Sequence, residues 1–248
     1  MNLDGKTALV TGGASGIGKA TVTELARCGA NVICADINAI KGEELVKEAA
    51  LTNFAVEFVP VDLADSESAR LCAAKVLHNY HRLDILVNAA GWNDIQPFVE
   101  NSPDYMDRVL AINLGGTLHL TQALLPAMIS AGKGKIVNVS SDAGRVGSSG
   151  ETTYAAAKGG VISFTKSLAR EVARYSINVN CVCPGPTDTP MLQSRPDKLK
   201  EAFVRAIPFR RFAKPEEIAD AIVFFAGPRS DYITGQVLSV SGGLTFAG

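Results

Sequence analysis

Short apolar runs alternate with longer amphipathic segments from one end of the chain to the other. The apolar runs predict strands at 6–11, 31–36, 55–62, 83–88, 134–140, 177–183 and 236–239. The amphipathic segments predict helices at 17–28, 39–50, 66–80, 103–129, 152–175 and 215–226. Strands that are apolar throughout and separated by helices are typical of a parallel sheet with both faces covered.

This alternation predicts an α/β fold, a single-domain, Rossmann-type, doubly wound parallel sheet with helices on both faces. We find no linker, low-complexity tract or internal repeat, so we predict one domain over residues 1–248. In such sheets, ligands bind beyond the carboxyl ends of the strands. Residues that directly follow strands are therefore the first candidates for a functional site.

Composition and charge narrow the range of partners. Of the 248 residues, 47% are hydrophobic and 20% are charged, which is enough apolar material for a substantial core. The net charge is −1 and Lys and Arg form no long basic stripe, so we expect neither nucleic acid nor a membrane as a partner. No run reaches about eighteen apolar residues, and the N-terminus does not resemble a signal peptide.

The cysteines and histidines suggest neither disulfides nor a metal. The five cysteines include no CxxC pair, and their odd count and irregular spacing are typical of free thiols in a reducing compartment. Cys181 and Cys183 would share one face of a strand, which suits core packing. His78 and His81 lie on a predicted helix without nearby cysteine or clustered acid, so we expect no metal site. Together these features predict a cytoplasmic protein.

A glycine-rich loop follows the first predicted strand and precedes the first predicted helix. It reads Thr-Gly-Gly-Ala-Ser-Gly-Ile-Gly over residues 11–18. Glycines permit a tight turn and let the backbone approach a pyrophosphate at the N-terminus of the next helix. Glycine also serves ordinary turns, so the interpretation depends on the strand before the loop and the helix after it. The candidate binding residues are Gly12, Ser15, Gly16, Ile17 and Gly18.

Asp36 closes the second predicted strand, eighteen residues after Gly18. A carboxylate there can accept hydrogen bonds from the ribose hydroxyls of NAD, and it would repel the 2′-phosphate of NADP. Its neighbours Ala35 and Ile37 offer no cation for that phosphate. Asp36 could instead simply end a strand, but its position favours NAD as the cofactor.

Tyr154 and Lys158 are separated by four residues, which places them on one face of a predicted helix. A free tyrosine has a pKa near 10, too high for efficient base catalysis at neutral pH. A neighbouring ammonium and a positive nicotinamide ring would stabilise the phenolate. Taken alone, the same spacing also fits a surface pair. Ser141, at the end of a predicted strand, precedes Tyr154 by thirteen residues, and Asn113 lies in the preceding helix.

The loop spacing TGxxxGxG and the order Asn, Ser, Tyr, Lys resemble the short-chain dehydrogenase/reductase family. The resemblance implies that Ser141 holds the substrate oxygen, rather than its neighbour Ser140, and that Tyr154 transfers the hydroxyl proton. Lys158 would lower the tyrosine pKa and bind the nicotinamide ribose. Asn113 would hold a water that links Lys158 to solvent.

Further segments extend this resemblance over the whole chain. Residues 88–91, Asn-Ala-Ala-Gly, resemble the family's NNAG turn with Ala89 in place of its second Asn. The resemblance also implies a homotetramer built through long helices at 103–129 and 152–175 and C-terminal strands, and the apolar stretch 244–248 fits such a contact. The further cofactor-binding residues it implies are Asp62, Leu63, Asn88, Ala90, Gly91, Pro184, Gly185, Thr187 and Thr189.

Less generic stretches point to a branch of the family. Residues 91–93, 141–151, 183–189 and 234–245 resemble the 2-hydroxycyclohexanecarboxyl-CoA dehydrogenases, which oxidise a ring β-hydroxyacyl-CoA. The segment 190–205, which we call the lid, is shorter than that branch would lead us to expect. The candidate substrate residues are Trp92, Asp142 and Arg145. Trp92 could equally pack under a loop, and Arg145 could equally be solvated or structural.

The sequence thus predicts an NAD-dependent oxidoreductase that interconverts a secondary alcohol and a ketone, with a cyclic or β-hydroxyacyl substrate first. Alternatives are a 3-oxoacyl-carrier-protein reductase, which Asp36 disfavours because such enzymes use NADPH, and a sugar or polyol dehydrogenase. A non-catalytic NAD-binding regulator is a third alternative. The complete set of Asn113, Ser141, Tyr154 and Lys158 argues against it.

Overall fold

Parallel strands form a single seven-stranded sheet in the computed structural model, which describes residues 1–246. The order across the sheet is β3-β2-β1-β4-β5-β6-β7. All seven predicted strands are present, and no end is displaced by more than two residues. Their bounds are β1 Thr7–Thr11, β2 Asn31–Asp36, β3 Val56–Pro60, β4 Ile85–Asn88, β5 Gly134–Val139, β6 Ile177–Pro184 and β7 Val237–Val240.

Helices connect these strands, several of them starting at side-chain caps that satisfy free backbone N–H groups. Single 3-10 turns lie at Phe98–Glu100, Ala173–Tyr175 and Pro228–Ser230. The helices are α1 Gly16–Arg27, α2 Ala39–Ala50, α3 Ser66–Tyr80, α4 Pro103–Leu110, α5 Gly116–Ala131, α6 Ala143–Val146, α7 Thr152–Val172, α8 Pro190–Gln193, α9 Asp197–Ala206 and α10 Pro215–Ala226.

The segment predicted as a helix over 103–129 is helical from Pro103 to Ala131, but it is not α-helical throughout. A π-helical turn at Ala111–Gly115 separates α4 from α5. One extra residue in the turn changes which side chains face the sheet after it, while the apolar pattern on either side stays helical. π turns often occur at functional sites, and this one contains Asn113.

Each face of the sheet has its own apolar core. On one face, β1 residues Ala8 and Val10 pack with α1, α2 and α10, whose buried residues include Leu25 and Ile222. On the other face, Leu9 packs with residues of α3, α5 and α7. Helices thus cover both faces, which confirms the doubly wound fold. Residues 247–248, the end of the stretch that fits a tetramer contact, lie outside the described part.

Residues 1–246 contain neither a membrane-spanning helix nor a metal-binding cluster. In that range, no helix combines the length and the apolar character needed to cross a membrane. The same residues hold no cluster of three or more His, Cys, Asp or Glu side chains suited to a metal ion. Cys181 and Cys183 lie on one face of β6, fully buried, with their Sγ atoms 3.9 Å apart.

A ladder of buried amides and hydroxyls crosses the sheet directly below the site. Asn88 Nδ2 donates to Thr121 Oγ1 at 3.1 Å and to Asn138 Oδ1 at 2.8 Å, and Asn138 Nδ2 donates to Thr165 Oγ1 at 2.9 Å. The ladder joins β4, β5, α5 and α7. It fixes the ends of β4 and β5, from which the loops of the site begin.

Candidate active site

A cleft of about 780 Å³ runs along the carboxyl ends of the strands, a size typical of small-molecule sites. It spans the topological switch between β1 and β4, where open α/β sheets bind their ligands. Most of the predicted cofactor residues line it, namely Gly12, Ser15, Gly16, Ile17, Gly18, Asp36, Asp62, Leu63, Ala90, Gly91, Tyr154, Lys158, Pro184, Gly185, Thr187 and Thr189.

The glycine-rich loop is fixed against the turn after β4. The Thr11 hydroxyl accepts hydrogen bonds from the backbone N–H groups of Ala89 at 3.0 Å and Ala90 at 3.1 Å. Gly12 has a φ of +65°, and a Cβ atom there would lie 2.8 Å from the Ala90 Cα atom. Only glycine therefore permits this approach of the two loops.

Asp36 connects the end of β2 to the same loop. Its carboxylate accepts from the backbone N–H of Ala14 at 3.0 Å and from that of Asn38 at 2.9 Å, and it lines the cleft. Lys41, on the first turn of α2, also lines the cleft. Lys41 lies five residues after Asp36, beyond the immediate neighbours of the carboxylate, and was not predicted from sequence.

The residues of this end of the cleft fit a nicotinamide dinucleotide. Helix α1 begins at Gly16, so its first backbone N–H groups and its positive dipole end face the cleft where a pyrophosphate would bind. The bare Gly12 backbone leaves room for that approach. The remaining lone pairs of the Asp36 carboxylate are acceptors for ribose hydroxyls.

Of the two serines after β5, Ser141 is the one available for chemistry. The Ser140 hydroxyl is buried and donates to the Lys158 backbone oxygen at 2.8 Å, which joins the strand end to α7. The Ser141 hydroxyl accepts from the Ala143 N–H at 3.1 Å, and it lies close enough to the Tyr154 phenol to lower its pKa. Both Ser141 and Tyr154 line the cleft.

Burial raises the pKa of the Tyr154 phenol well above its ordinary value, and the negative charge of Glu151 raises it further. The hydrogen bond with Ser141 acts in the opposite direction and lowers that pKa. At neutral pH the side chain is therefore a phenol in the protein alone. To act as a base it needs further positive charge nearby.

Lys158 is a buried cation beneath this tyrosine. Its Nζ atom donates to the Val139 backbone oxygen at 2.9 Å and lies 5.7 Å from the centroid of the Tyr154 ring. Burial lowers the pKa of the ammonium to about 8, because a charged group in a medium of low polarity loses its hydration. The side chain is 3% exposed.

Asn113 is held by the backbone of Trp92. Its Nδ2 atom donates to the Trp92 oxygen at 2.7 Å and to the Val109 oxygen at 2.9 Å, and its Oδ1 atom accepts from the Trp92 N–H at 3.1 Å. Both amide protons are thus donated to carbonyls. A water of the kind that the family resemblance implies would have to bind an oxygen of Asn113.

The three predicted substrate residues have different surroundings. Trp92 lines the cleft and also packs against Tyr105, with ring centroids 5.6 Å apart. Asp142 lines the cleft, but its Oδ2 atom accepts from Ser239 at 2.7 Å. The Arg145 guanidinium lies 3.5 Å from the other Asp142 oxygen and does not line the cleft. Arg145 thus forms an ion pair with Asp142, and its contact with a substrate stays a prediction.

Asn88 also lies outside the cleft wall, although the sequence analysis counted it among the cofactor residues. Its side chain belongs to the amide ladder described above, so its effect on a cofactor acts through the position of the loop that follows. Conversely, sequence reasoning missed Asn93, Glu151 and Arg195, all of which line the cleft. The only signal for Glu151 was its place three residues before Tyr154.

Comparisons with known proteins agree with this geometry. A family model described as enoyl-(acyl carrier protein) reductase matches residues 12–245. A 3-oxoacyl-(acyl-carrier-protein) reductase of Thermotoga maritima is 43% identical over 98% of this chain and 99% of its own. A (3R)-3-hydroxyacyl-CoA dehydrogenase of Mus musculus is 37% identical over 98% of both chains. The solved structure of a putative gluconate dehydrogenase from Agrobacterium tumefaciens has a TM-score of 0.94 at 31% identity, covering 98% of this chain and 97% of that one.

These relatives span the chain almost completely, so the likeness includes both the cofactor end and the catalytic end of the cleft. They differ in the substrates that their names give, and none of the three is named as a 2-hydroxycyclohexanecarboxyl-CoA dehydrogenase. The comparisons therefore support the family and not that branch. The chain belongs to the short-chain dehydrogenase/reductase family, and it is an oxidoreductase that acts on CH–OH groups.

Proposed function

We propose that this protein is an NAD-dependent dehydrogenase that interconverts a secondary alcohol and a ketone, with Tyr154 as the proton-transfer residue. The observation that carries the proposal is the meeting of Ser141, Tyr154 and Lys158 in the cleft that also contains the glycine-rich loop. A hydroxyl pair above a buried ammonium is suited to holding an alcohol oxygen and moving its proton.

In the oxidation, Ser141 holds the substrate hydroxyl while Tyr154 takes its proton, and in the reduction Tyr154 returns that proton to the ketone oxygen. NAD, held by the glycine-rich loop and Asp36, would supply the hydride acceptor for the oxidation. The buried ammonium of Lys158 stabilises the phenolate form of Tyr154. Asn113 keeps the Trp92 backbone in place, and this fixes the wall of the cleft opposite the tyrosine.

The preference for NAD rests on Asp36, whose carboxylate would repel a 2′-phosphate. Lys41 is the residue that would oppose this preference. We expect kcat/KM with NAD to exceed that with NADP by about tenfold or more, and Asp36→Ser to remove most of the difference. Lys41→Gln should lower kcat/KM with NADP and leave that with NAD nearly unchanged. A wild-type preference for NADP would refute the assignment.

For the substrate, we place a cyclic or β-hydroxyacyl compound first, with a CoA-type thioester as its activated form. Apolar side chains of Trp92, Ile95, Met191 and Phe203 line the cleft, and such a wall suits a ring or an acyl chain. The hydroxyacyl-CoA dehydrogenase relative supports the same class. A polyhydroxy substrate is the second candidate, because the gluconate dehydrogenase shares the whole fold.

The proposed function is tested with purified protein, NAD and a panel of cyclic alcohols, hydroxyacyl thioesters and polyols. On the best substrate, Tyr154→Phe should lower kcat by a factor of about 100 to 10,000, the range of general acid–base catalysis. Tyr232→Phe, at a fully exposed tyrosine, is the matched control and should change little. Near wild-type turnover by Tyr154→Phe would contradict the mechanism.

We also propose a homotetramer. The apolar side chains of Phe224 on α10 and Leu238 on the edge strand β7 are 37% and 40% exposed, and another copy could cover them. Light scattering after size-exclusion chromatography would give the mass directly. A monomer at micromolar concentration would refute this part of the proposal.

A further inference from the structure

Glu151 lines the catalytic end of the cleft, and the mechanism above does not use it. It directly precedes α7 and stands three residues before Tyr154. Among residues 1–246, no Lys, Arg or His nitrogen lies within 4.0 Å of its carboxylate oxygens. A negative charge without a paired cation therefore faces the place where the substrate carbinol must lie.

A buried amide fixes the position of this carboxylate. Asn93 Nδ2 donates to Glu151 Oε1 at 2.6 Å, and Asn93 is 7% exposed. The Tyr105 hydroxyl lies 3.1 Å from Asn93 Oδ1 and 2.7 Å from the Asp94 backbone oxygen, and its one proton is shared between these two acceptors. Because both ends of the Asn93 amide are held, it cannot rotate freely. Glu151 is thus a positioned group and not a mobile surface side chain.

The lid holds the same segment from the other side. Arg195 donates through Nη1 to Asp94 Oδ1 at 2.5 Å and through Nη2 to the Asn93 backbone oxygen at 2.7 Å. The Arg195 side chain is only 10% exposed. Arg195 also lines the cleft. Its positive charge is paired with the negative charge of Asp94, so it does not neutralise Glu151.

Two other charges at the catalytic end are matched in a similar way, while Arg108 lines the cleft with its guanidinium carbon 4.4 Å from the centroid of the Trp92 ring. Asp142 lies 3.5 Å from the Arg145 guanidinium. The Lys158 ammonium donates to the Val139 backbone oxygen and lies 5.7 Å from the centroid of the Tyr154 ring. Glu151 is the acidic group without a paired cation that an incoming substrate would meet beside Tyr154.

We propose that Glu151 is a specificity-determining residue that excludes substrates with a carboxylate next to the reacting carbinol and admits neutral ones such as esters and thioesters. Two like charges a few ångströms apart repel strongly in a partly buried site. A free β-hydroxy acid would bring its carboxylate to this position, whereas its ester or thioester presents a neutral carbonyl. The inference rests on the proposed function and narrows its substrate class to activated, uncharged acyl groups.

The test compares two probes that differ in charge, 2-hydroxycyclohexanecarboxylate and its ethyl ester, each oxidised with NAD. We expect the wild-type protein to favour the ester by tenfold or more in kcat/KM. Glu151→Gln keeps the shape and an acceptor oxygen, and it should reduce the preference to about threefold or less through a gain on the free acid. Glu171→Gln removes the same charge from an exposed position on α7, away from the cleft, and should leave the ratio unchanged.

The ratio of kcat/KM for the ester to kcat/KM for the free acid in the wild-type protein tests the inference even if Glu151→Gln does not fold. A wild-type ratio below about threefold would overturn the inference, as would a large ratio that Glu151→Gln leaves unchanged. If the wild-type protein oxidises neutral cyclic alcohols but shows either of these results, the proposed function stands and only the role of Glu151 falls. If it oxidises no secondary alcohol with NAD or NADP, the proposed function itself fails.

Discussion

Lys158 places a positive charge in the interior, and this should be measurable as a cost in stability. Its ammonium is 3% exposed, and burial lowers its pKa from 10.5 to about 8. Because the pKa in the folded protein lies below that in the unfolded chain, the unfolded chain binds more protons between these values. Stability should therefore rise as the pH increases from about 8 to about 10.5.

The size of the effect follows from the same difference in pKa. At 1.36 kcal/mol per pH unit, the charged ammonium costs about 3 kcal/mol at neutral pH, and this cost disappears at high pH. Lys158→Met removes the charge but also the bond from Nζ to the Val139 oxygen, which is worth about 1 kcal/mol. We expect the variant to be more stable than wild type by about 2 kcal/mol near pH 7, although inactive.

The assay is urea unfolding followed by circular dichroism, at one protein concentration, near pH 7 and near pH 10. The difference in free energy of unfolding between Lys158→Met and wild type should fall by about 2 to 3 kcal/mol over this range. Lys166→Met, at an exposed lysine of the same helix, should follow the wild-type pH dependence. If the Lys158→Met difference were the same at both pH values, burial of a charged ammonium would not be the source of the cost.

Two further changes test the support of the site. Asn138→Ala removes the bonds to Asn88 and Thr165 in the buried ladder and should lower the free energy of unfolding by about 2 to 4 kcal/mol. Asn2→Ala, at the exposed N-terminus, should change that free energy by less than about 0.5 kcal/mol. Both values are measured by urea unfolding. Arg195→Gln, which loosens the lid, should lower kcat/KM by about tenfold, whereas the exposed Arg205→Gln should have no effect in the same kinetic assay.

The fold was predictable because its elements are long and regular. Continuous apolar runs such as 134–140 and amphipathic segments such as 66–80 carry a strong periodic signal, and all seven strands appeared where this signal placed them. Short or irregular elements were missed, as was the ten-residue helix α9. Helix α6 has only four residues, and the π turn at Ala111–Gly115 leaves the helical pattern on both sides intact.

The same division applies to the site. Local motifs predicted the residues that share a loop or a helix turn, including Gly12–Gly18 and the pair Tyr154 and Lys158. The contacts that shape the substrate end join distant parts of the chain, as Arg195 and Asn93 do across 102 residues. No spacing rule links such residues, so only the folded arrangement brings Glu151, Asn93 and the lid together.

Three features that cost stability lie close together at the carboxyl edge of the sheet. A buried ammonium at Lys158, a π turn around Asn113 and a glycine with φ of +65° at Gly12 each cost stability compared with a regular alternative. All of them line the cleft or hold its wall, whereas the two apolar cores away from that edge contain regular elements. A protein selected for stability alone would have no reason to place these costs side by side. Their concentration where the strands end is what a site that must hold a cofactor and move a proton requires.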